Sequence, residues 1–352
     1  MRKQFIKGNE AICKGAILAG CTHYYGYPIT PSSEIVHTFA SIFPQIGGTF
    51  VQAESEVAAI NMVYGAACTG RRVMTASSSP GISLKQEGVS YLAAAELPCV
   101  IVDIMRAGPG LGNIFPEQSD YTQVVKGGGH GGYRTPVLAP NSPQEMSDLT
   151  IKAFDLAEKY RTPVYILADG NIGQVMEPVI FPTEVKRPPR HDWAIYADKE
   201  SKDNLISSIH MTTKELETVN LRLHAKYQEI EKNEVMFKEY KTDDADVILF
   251  AYGITSRIAM SAVDHLRTRG VKAGLMRPIS LMPFPKERLQ KLAEQVKLIT
   301  VLELSSGQMV DDVRLAVEGR TPVEFFGRMG GIIPEIEEVT DKVEELLKKS
   351  IL

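Results

Sequence analysis

The stretch Cys99-Val100-Ile101-Val102-Asp103-Ile104-Met105-Arg106-Ala107-Gly108-Pro109-Gly110-Leu111-Gly112-Asn113 decides how the chain is read. Its first seven residues form a short apolar run that ends in a glycine- and proline-bearing turn, the pattern of a strand buried in a parallel sheet. Similar runs at 73–76, 164–168, 247–251 and 298–302 alternate with helical patterns at 57–68, 143–160, 258–269 and 285–295. Strand–helix alternation with short connections argues for α/β domains built on parallel sheets. The loop after Met105 invites a dinucleotide-binding reading. Its spacing is G-x-G-x-G, however, with a proline inside, and Pro116 follows before any helix can start. A dinucleotide fingerprint needs a third glycine two residues further on and a helix N-terminus aimed at the pyrophosphate. A nicotinamide dehydrogenase is therefore disfavoured, and no phosphate loop of the type G-x-x-x-x-G-K-[ST] occurs.

The 352 residues suffice for two or three domains and a sizeable core. With 44% apolar and 23% charged residues the composition is that of a globular chain, without internal repeats or low-complexity segments. The 39 basic and 43 acidic residues leave a formal charge of −4, and no basic stripe offers a footprint for nucleic acid. Cys13, Cys21, Cys68 and Cys99 form no CxxC pair, so zinc ribbons, thioredoxin-type motifs and cysteine-ligated clusters are hard to build. No metal site is expected on this chain. No apolar run approaches membrane-spanning length. The N-terminus is basic and then apolar, but Asn9 and Glu10 interrupt it and the run 16–19 is short for a signal-peptide core. It reads as an amphipathic helix capped by Asn9, with Ile12, Ala16 and Ala19 on one face, in a cytoplasmic protein.

The organisation expected is a first α/β domain over 1–185, a linker with a polar helix over 186–243, and a second α/β domain over 244–352. The linker opens on Lys186-Arg187-Pro188-Pro189-Arg190, suited to a semi-extended segment. Leu216, Val219, Leu223, Tyr227 and Ile230 then recur at three- and four-residue steps in a helix over Thr213–Asn233, laid on a domain surface.

Three further segments carry candidate chemistry. In Tyr25-Gly26-Tyr27-Pro28-Ile29-Thr30-Pro31-Ser32-Ser33-Glu34 two prolines hold the chain extended before a helix capped by the Thr/Ser pair. Such a turn presents the Thr30 hydroxyl to a ligand, or simply starts a helix. In Gln52-Ala53-Glu54-Ser55-Glu56 a carboxylate stands at the entry to a helix of small residues that packs closely. One glutamate is then buried, which is costly without a partner and often marks a site; the alternative is ordinary helix N-terminal electrostatics. In Thr75-Ala76-Ser77-Ser78-Ser79-Pro80-Gly81-Ile82-Ser83-Leu84 a strand runs into a polar loop at the carboxyl edge of a sheet, where ligands bind. Arg106 stands at that same edge and can fork onto a small carboxylate. His130, inside Gly127-Gly128-Gly129-His130-Gly131-Gly132, is either a loop histidine or a functional one.

Together YPITPSS, the glutamate-led helix, TASSSPG and the post-strand Arg106 resemble the alpha subunit of 2-oxoacid:ferredoxin oxidoreductases, thiamine diphosphate enzymes, over nearly the whole chain. The resemblance implies an α/β thiamine diphosphate-binding fold: a pyrimidine-type domain, then a transketolase C-terminal-type domain with Glu303-Leu304-Ser305-Ser306-Gly307-Gln308 in a characteristic place. It implies that Glu56, with Glu54 the second choice, activates the cofactor through a hydrogen bond to the aminopyrimidine N1′ and favours the imino tautomer. It further implies that Thr30 contacts substrate, that Arg106 holds the substrate carboxylate, and that Pro28, Ile29, Ser79 and Gly81 lie at the cofactor.

Such enzymes bind the diphosphate through Mg2+ and a GDG…N motif, yet Asp169-Gly170-Asn171 is the nearest approach here. The resemblance therefore implies half of a composite site. A beta subunit would hold the diphosphate and Mg2+, and gamma and ferredoxin-like subunits would carry the iron–sulfur clusters. Coenzyme A would be cosubstrate and ferredoxin the electron acceptor. GPGLGNIFPEQSDY, KGGGHGGY and SSSPGISL look most like the branched-chain (2-oxoisovalerate) type, with the 2-oxoglutarate type as alternative. A noncatalytic scaffold subunit is the competing reading from another class.

Overall fold

The computed structural model describes residues 2–351. The first half comprises β1 (Arg2–Lys7), α1 (Gly8–Leu18), β2 (His23–Gly26), α2 (Ser33–Ile46), β3 (Thr49–Gln52), α3 (Glu56–Cys68), β4 (Val73–Ser77) and α4 (Ser79–Ala94). It continues with β5 (Cys99–Met105), α5 (Tyr121–Val125), β6 (Val137–Leu138), α6 (Pro143–Tyr160), β7 (Pro163–Asp169), α7 (Gly170–Gln174) and β8 (Met176–Phe181). After α8 (Thr213–Asn233) come β9 (Phe237–Tyr240), β10 (Val247–Phe250), α9 (Gly253–Thr268), β11 (Ala273–Pro278) and β12 (Ser280–Met282). The chain closes with α10 (Lys286–Ala293), β13 (Leu298–Glu303), α11 (Met309–Val317), β14 (Val323–Gly327) and α12 (Ile336–Ile351).

Two mostly parallel sheets result, as the alternation predicts. The first has strand order β3-β2-β4-β5-β7-β6-β12 and the second β9-β11-β10-β13-β14. Every residue of β4, β5 and β7 is buried, because helices cover both faces. The halves interlock: β12 pairs antiparallel with β6 of the first sheet, and β9, from the segment 186–243, pairs antiparallel with β11 of the second. Buried Arg277 forks onto Glu145 at 2.6 and 2.7 Å across the same junction. Helix α8 lies over the body with Val219, Leu223, Tyr227 and Ile230 buried, and Lys226 bonds Glu96 at 2.8 Å. No described helix is long and apolar enough to cross a membrane.

Local expectations need three corrections. Asn9 does not cap α1: the helix starts at Gly8, directly after β1, which pairs with β8. The Asn9 amide instead donates to the Pro31 carbonyl (2.8 Å) and to Glu34 (3.1 Å), so a tertiary contact has claimed the side chain. Ile12, Ala16 and Ala19 are buried as expected. Neither Thr30 nor Ser32 caps α2 through its side chain, since Ser32 Oγ donates back to the Ile29 carbonyl at 2.8 Å and closes the turn. Residues 79–84 are not loop but the first turns of α4, with Pro80 at a position where its missing N–H costs nothing.

Candidate functional site

Strands β2, β4 and β5 run parallel, and β3 runs parallel beside β2, so their carboxyl ends share one edge. That edge collects the singled-out residues. Pro28, Ile29 and Thr30 follow β2, Glu56 follows β3 through a short turn, Ser79 and Gly81 follow β4, and Arg106 follows β5.

Ser55 separates the two glutamates. Its extended backbone and its Oγ, which accepts from the Ala58 N–H at 3.2 Å, cap α3. Glu56 thereby becomes the first helical residue and turns inward, 6% exposed, while Glu54 stays in solvent. Gly81 makes the room: a Cβ there would stand 2.5 Å from Glu56 Oε1 and 2.0 Å from Ser77 Oγ. Ser77 Oγ and Ser78 Oγ are buried without a hydrogen-bond partner among the described residues. A buried carboxylate beside orphaned hydroxyls, in a cradle that only glycine permits, fits a group with hydrogen-bond donors of its own, as an aminopyrimidine has.

The second cluster joins Thr30, Ser79 and Arg106. Arg106 donates from Nη1 to the Thr30 carbonyl (2.9 Å) and from Nη2 to the Leu111 carbonyl (3.1 Å). Its Nε is buried and unpartnered, so the guanidinium is fixed by backbone and keeps donors to spare. Ser79 Oγ accepts from the Arg106 N–H at 3.1 Å and donates to the Asp120 carboxylate. The first turn of α4 therefore links both clusters: Ser79 faces Arg106 and Gly81 faces Glu56. Pro28 and Ile29 are half-buried at the same edge, and Thr30 itself is exposed.

Other singled-out features have structural uses. Asp169 is buried, accepts from the Ile172 N–H (3.0 Å) and the Ile254 N–H (2.8 Å), and ties α7 to the second half; burial pushes its carboxyl up to about 6. Glu303 accepts the Gln308, Met309 and Val310 N–H groups at 3.2, 2.9 and 2.9 Å, and so caps α11. Gly112 closes the loop after β5, where a Cβ would meet the Ala107 carbonyl oxygen at 1.8 Å. Gly128 and Gly129 let their loop press on Gln86 of α4. His130 sits exposed beside Ser90 (3.3 Å) and Tyr91, three turns of α4 away from Ser79. All four cysteines are free thiols, and burial pushes Cys21 up to about 12.

Sequence reasoning passed over Lys85, Asp103 and Asp120. Asp103, fully buried in β5, has neither oxygen hydrogen-bonded among the described residues, and burial beside Asp120 drives its carboxyl well up; Asp120 itself is raised to about 6. An acid inside the apolar run 99–105 was the available signal. A cleft of about 1010 Å³ lies elsewhere, between α8, the turn 283–286 and α11. Its Lys126, Arg134, Lys286 and Arg288 already pair with Asp312, Glu231, Glu318 and Glu239, so it competes poorly as the reacting site.

Two family models match consecutive parts of the chain, the first running on through the segment expected as a linker. Residues 14–242 match the family described as pyruvate flavodoxin/ferredoxin oxidoreductase, thiamine diphosphate-binding, and residues 245–339 match pyruvate:ferredoxin oxidoreductase core domain II. The chain belongs to the 2-oxoacid:ferredoxin oxidoreductase family. It is 56% identical to ketoisovalerate oxidoreductase subunit VorB of Methanothermobacter marburgensis over 99% of both chains. It is 38% identical to 2-oxoglutarate synthase subunit KorA of Archaeoglobus fulgidus, over 95% of this chain and 97% of that one. Among solved structures, 2-oxoglutarate:ferredoxin oxidoreductase from Magnetococcus marinus, with 2-oxoglutarate, coenzyme A and succinyl-CoA bound, superposes with a TM-score of 0.87 at 26% identity. The match covers 98% of this chain and 65% of that chain. A split-gene transketolase, at 16% identity and TM-score 0.62, shares the fold. The expected thiamine diphosphate-binding α/β fold is thus borne out.

Proposed function

We propose that this chain is the subunit of a 2-oxoacid:ferredoxin oxidoreductase that supplies the pyrimidine-activating half of a composite site. Its preferred substrate is the branched-chain 2-oxoisovalerate, converted with coenzyme A to the acyl-CoA and CO2 while ferredoxin is reduced. The observation that carries this reading is Glu56, a buried carboxylate with no hydrogen bond among the described residues, set against Gly81 at the edge of a thiamine diphosphate-binding fold. Identity of 56% to the ketoisovalerate subunit against 38% to a 2-oxoglutarate subunit favours the branched-chain substrate.

When bound, thiamine diphosphate supplies the electron sink for the pair released with CO2. Glu56 shares one proton with the pyrimidine N1′ across a hydrogen bond, is left ionised as the ring takes that proton, and so directs the neighbouring amino nitrogen toward base chemistry. Arg106, anchored by the Thr30 and Leu111 carbonyls, presents its remaining N–H groups to the substrate carboxylate. Because that charge leaves as CO2, a moderate anchor serves better than a maximal one. Thr30 lines the substrate approach.

A partner must complete the site. Asp169 is engaged by backbone N–H groups, and no group of three metal-ligating side chains occurs among the described residues. We assign the diphosphate and Mg2+ to a beta-type partner and the iron–sulfur clusters to further subunits, in a cytoplasmic complex. Exposed Leu111 (81%), Ile114 and Phe115 beside Arg106, with Met329 and Ile332 nearby, form an apolar surface suited to that partner.

The test is Glu56→Gln in the reconstituted complex, assayed for 2-oxoacid-dependent ferredoxin reduction. Activity is expected to fall about 100- to 10,000-fold with assembly intact. Wild-type activity would leave the chain a noncatalytic scaffold, and a preference for 2-oxoglutarate in a substrate panel would reassign the substrate.

A further inference from the structure

Lys85 is fully buried, and no reading so far uses it. It lies on the stripe of α4 that carries Ile82, Val89 and Leu92, all completely buried, where an apolar side chain would pack without cost. The other buried cations have direct carboxylate partners: Arg72 pairs with Glu158 and Asp155, and Arg277 with Glu145. Lys85 has none within ion-pair distance among the described residues. Its Nζ donates to Thr75 Oγ1 at 2.7 Å and to the Ala76 carbonyl at 3.1 Å, which leaves a third N–H over.

The geometry around that ammonium is specific. Lys85 follows Gly81 by four residues, so both share one face of α4, and helical side chains lean toward the N-terminal end, here toward the level of Gly81. Gly81 is the residue against which the Glu56 carboxylate rests. Thr75, which holds the ammonium, and Ser77, which also meets Gly81, point to the same side of β4, about 7 Å apart along the strand. Asp103 is the register partner of Ser77 on β5, and both its oxygens are unpartnered. The residue that holds the cation, Thr75, thus lies one same-side step along β4 from Ser77, the hydroxyl that shares Gly81 with Glu56 and pairs in register with Asp103.

We propose that Lys85 is a positioning residue for Glu56: its ammonium, anchored by Thr75 and Ala76, keeps the Glu56 carboxylate ionised and turned toward the site. The proposal rests on Glu56 being the group that engages the aminopyrimidine. The titratable groups facing Lys85 are Glu56 on α3 and Asp103 and Cys99 on β5. Burial pulls the amine down to about 7, against the attraction of Glu56 and Asp103. At pH well below 7 the amine is therefore charged.

An infrared titration of the 13C-glutamate-labelled complex without thiamine diphosphate tests this, with Glu56→Gln identifying the Glu56 band. In Lys85→Met the Glu56 midpoint is expected to rise by about one pH unit. Lys85→Gln, which can keep both hydrogen bonds but not the charge, should do the same. With cofactor restored, the acid limb of kcat should move upward by the same amount while KM for the 2-oxoacid stays put. An unchanged midpoint in both variants, whatever their melting temperatures, would overturn the proposal and leave Lys85 a tie between α4 and β4. Should neither variant assemble, the wild-type band decides: it should shift near pH 7 as the amine deprotonates, and a flat response refutes the coupling. If Glu56→Gln keeps full turnover, the functional reading of Glu56 fails, yet the titration still reports whether Lys85 acts on that carboxylate.

Discussion

Gly81 and Glu56 work as a pair at the residue scale. A methyl group at position 81 would stand 2.5 Å from Glu56 Oε1 and 2.0 Å from Ser77 Oγ, so the carboxylate and the hydroxyl must both give way. These atoms are the ends of side chains, which can rotate aside without moving the backbone. Gly81→Ala should therefore fold normally yet lose about 100-fold in turnover through a displacement of about 1 Å. Turnover and the thermal midpoint of the assembled complex check this, and unchanged turnover would show that Glu56 needs no such placement. The choice between Glu54 and Glu56 illustrates what a sequence leaves open. Both flank Ser55, and only the cap that Ser55 makes, with the inward turn that follows, buries one and leaves the other in solvent. Lys85 and Asp103 were legible as charges on apolar stripes, but which groups they face depends on how α4 packs on β4 and β5.

Helix starts carry the candidate site residues at the scale of elements. Helix α4 begins directly after β4, and its first turn aims Ser79 at Arg106 and Gly81 at Glu56. From the sequence, residues 79–84 read as loop because the serine run 77–79 followed by a proline and a glycine signals a turn. Proline at the first positions and serine before them equally suit a helix N-terminus, and burial of Ile82 and Val89 tips the balance. Helix α11 shows the same logic outside the candidate site. Glu303 accepts three backbone N–H groups at its start, inside the protein, where nothing else would satisfy them. Glu303→Ala is expected to destabilise the chain by about 1–3 kcal/mol. A denaturant melt reads this directly, and a midpoint equal to wild type would mean that water replaces the carboxylate.

For the whole molecule, the interlocking of the halves matters more than their separate folds. Gln118 donates from Nε2 to the Tyr252 carbonyl (2.9 Å), its backbone N–H bonds the Leu304 carbonyl (2.7 Å), and Tyr121 OH bonds Asp312 (2.6 Å). The segment behind Arg106 is thus bolted to the second half, which holds the open edge with Glu56 and Arg106 rigid for a partner. The isolated chain should reduce no ferredoxin or viologen with any 2-oxoacid. Exchanging Leu111 and Phe115 for serine should weaken copurification with the partner subunit by at least about tenfold, since each removes a large exposed apolar side chain. Turnover by the chain alone would refute the composite site. By itself the sequence determined the alternation of buried strands and helices, because apolar runs of strand length need cover on both faces, and it placed Ser79 and Arg106 at strand ends, with Thr30 and Glu56 only at helix starts. Tertiary structure alone decided the exchange of β9 and β12, the burial of Glu56 rather than Glu54, and the buried cluster of Lys85, Asp103 and Asp120. These depend on which surfaces meet, and long-range contacts leave no local period in the chain.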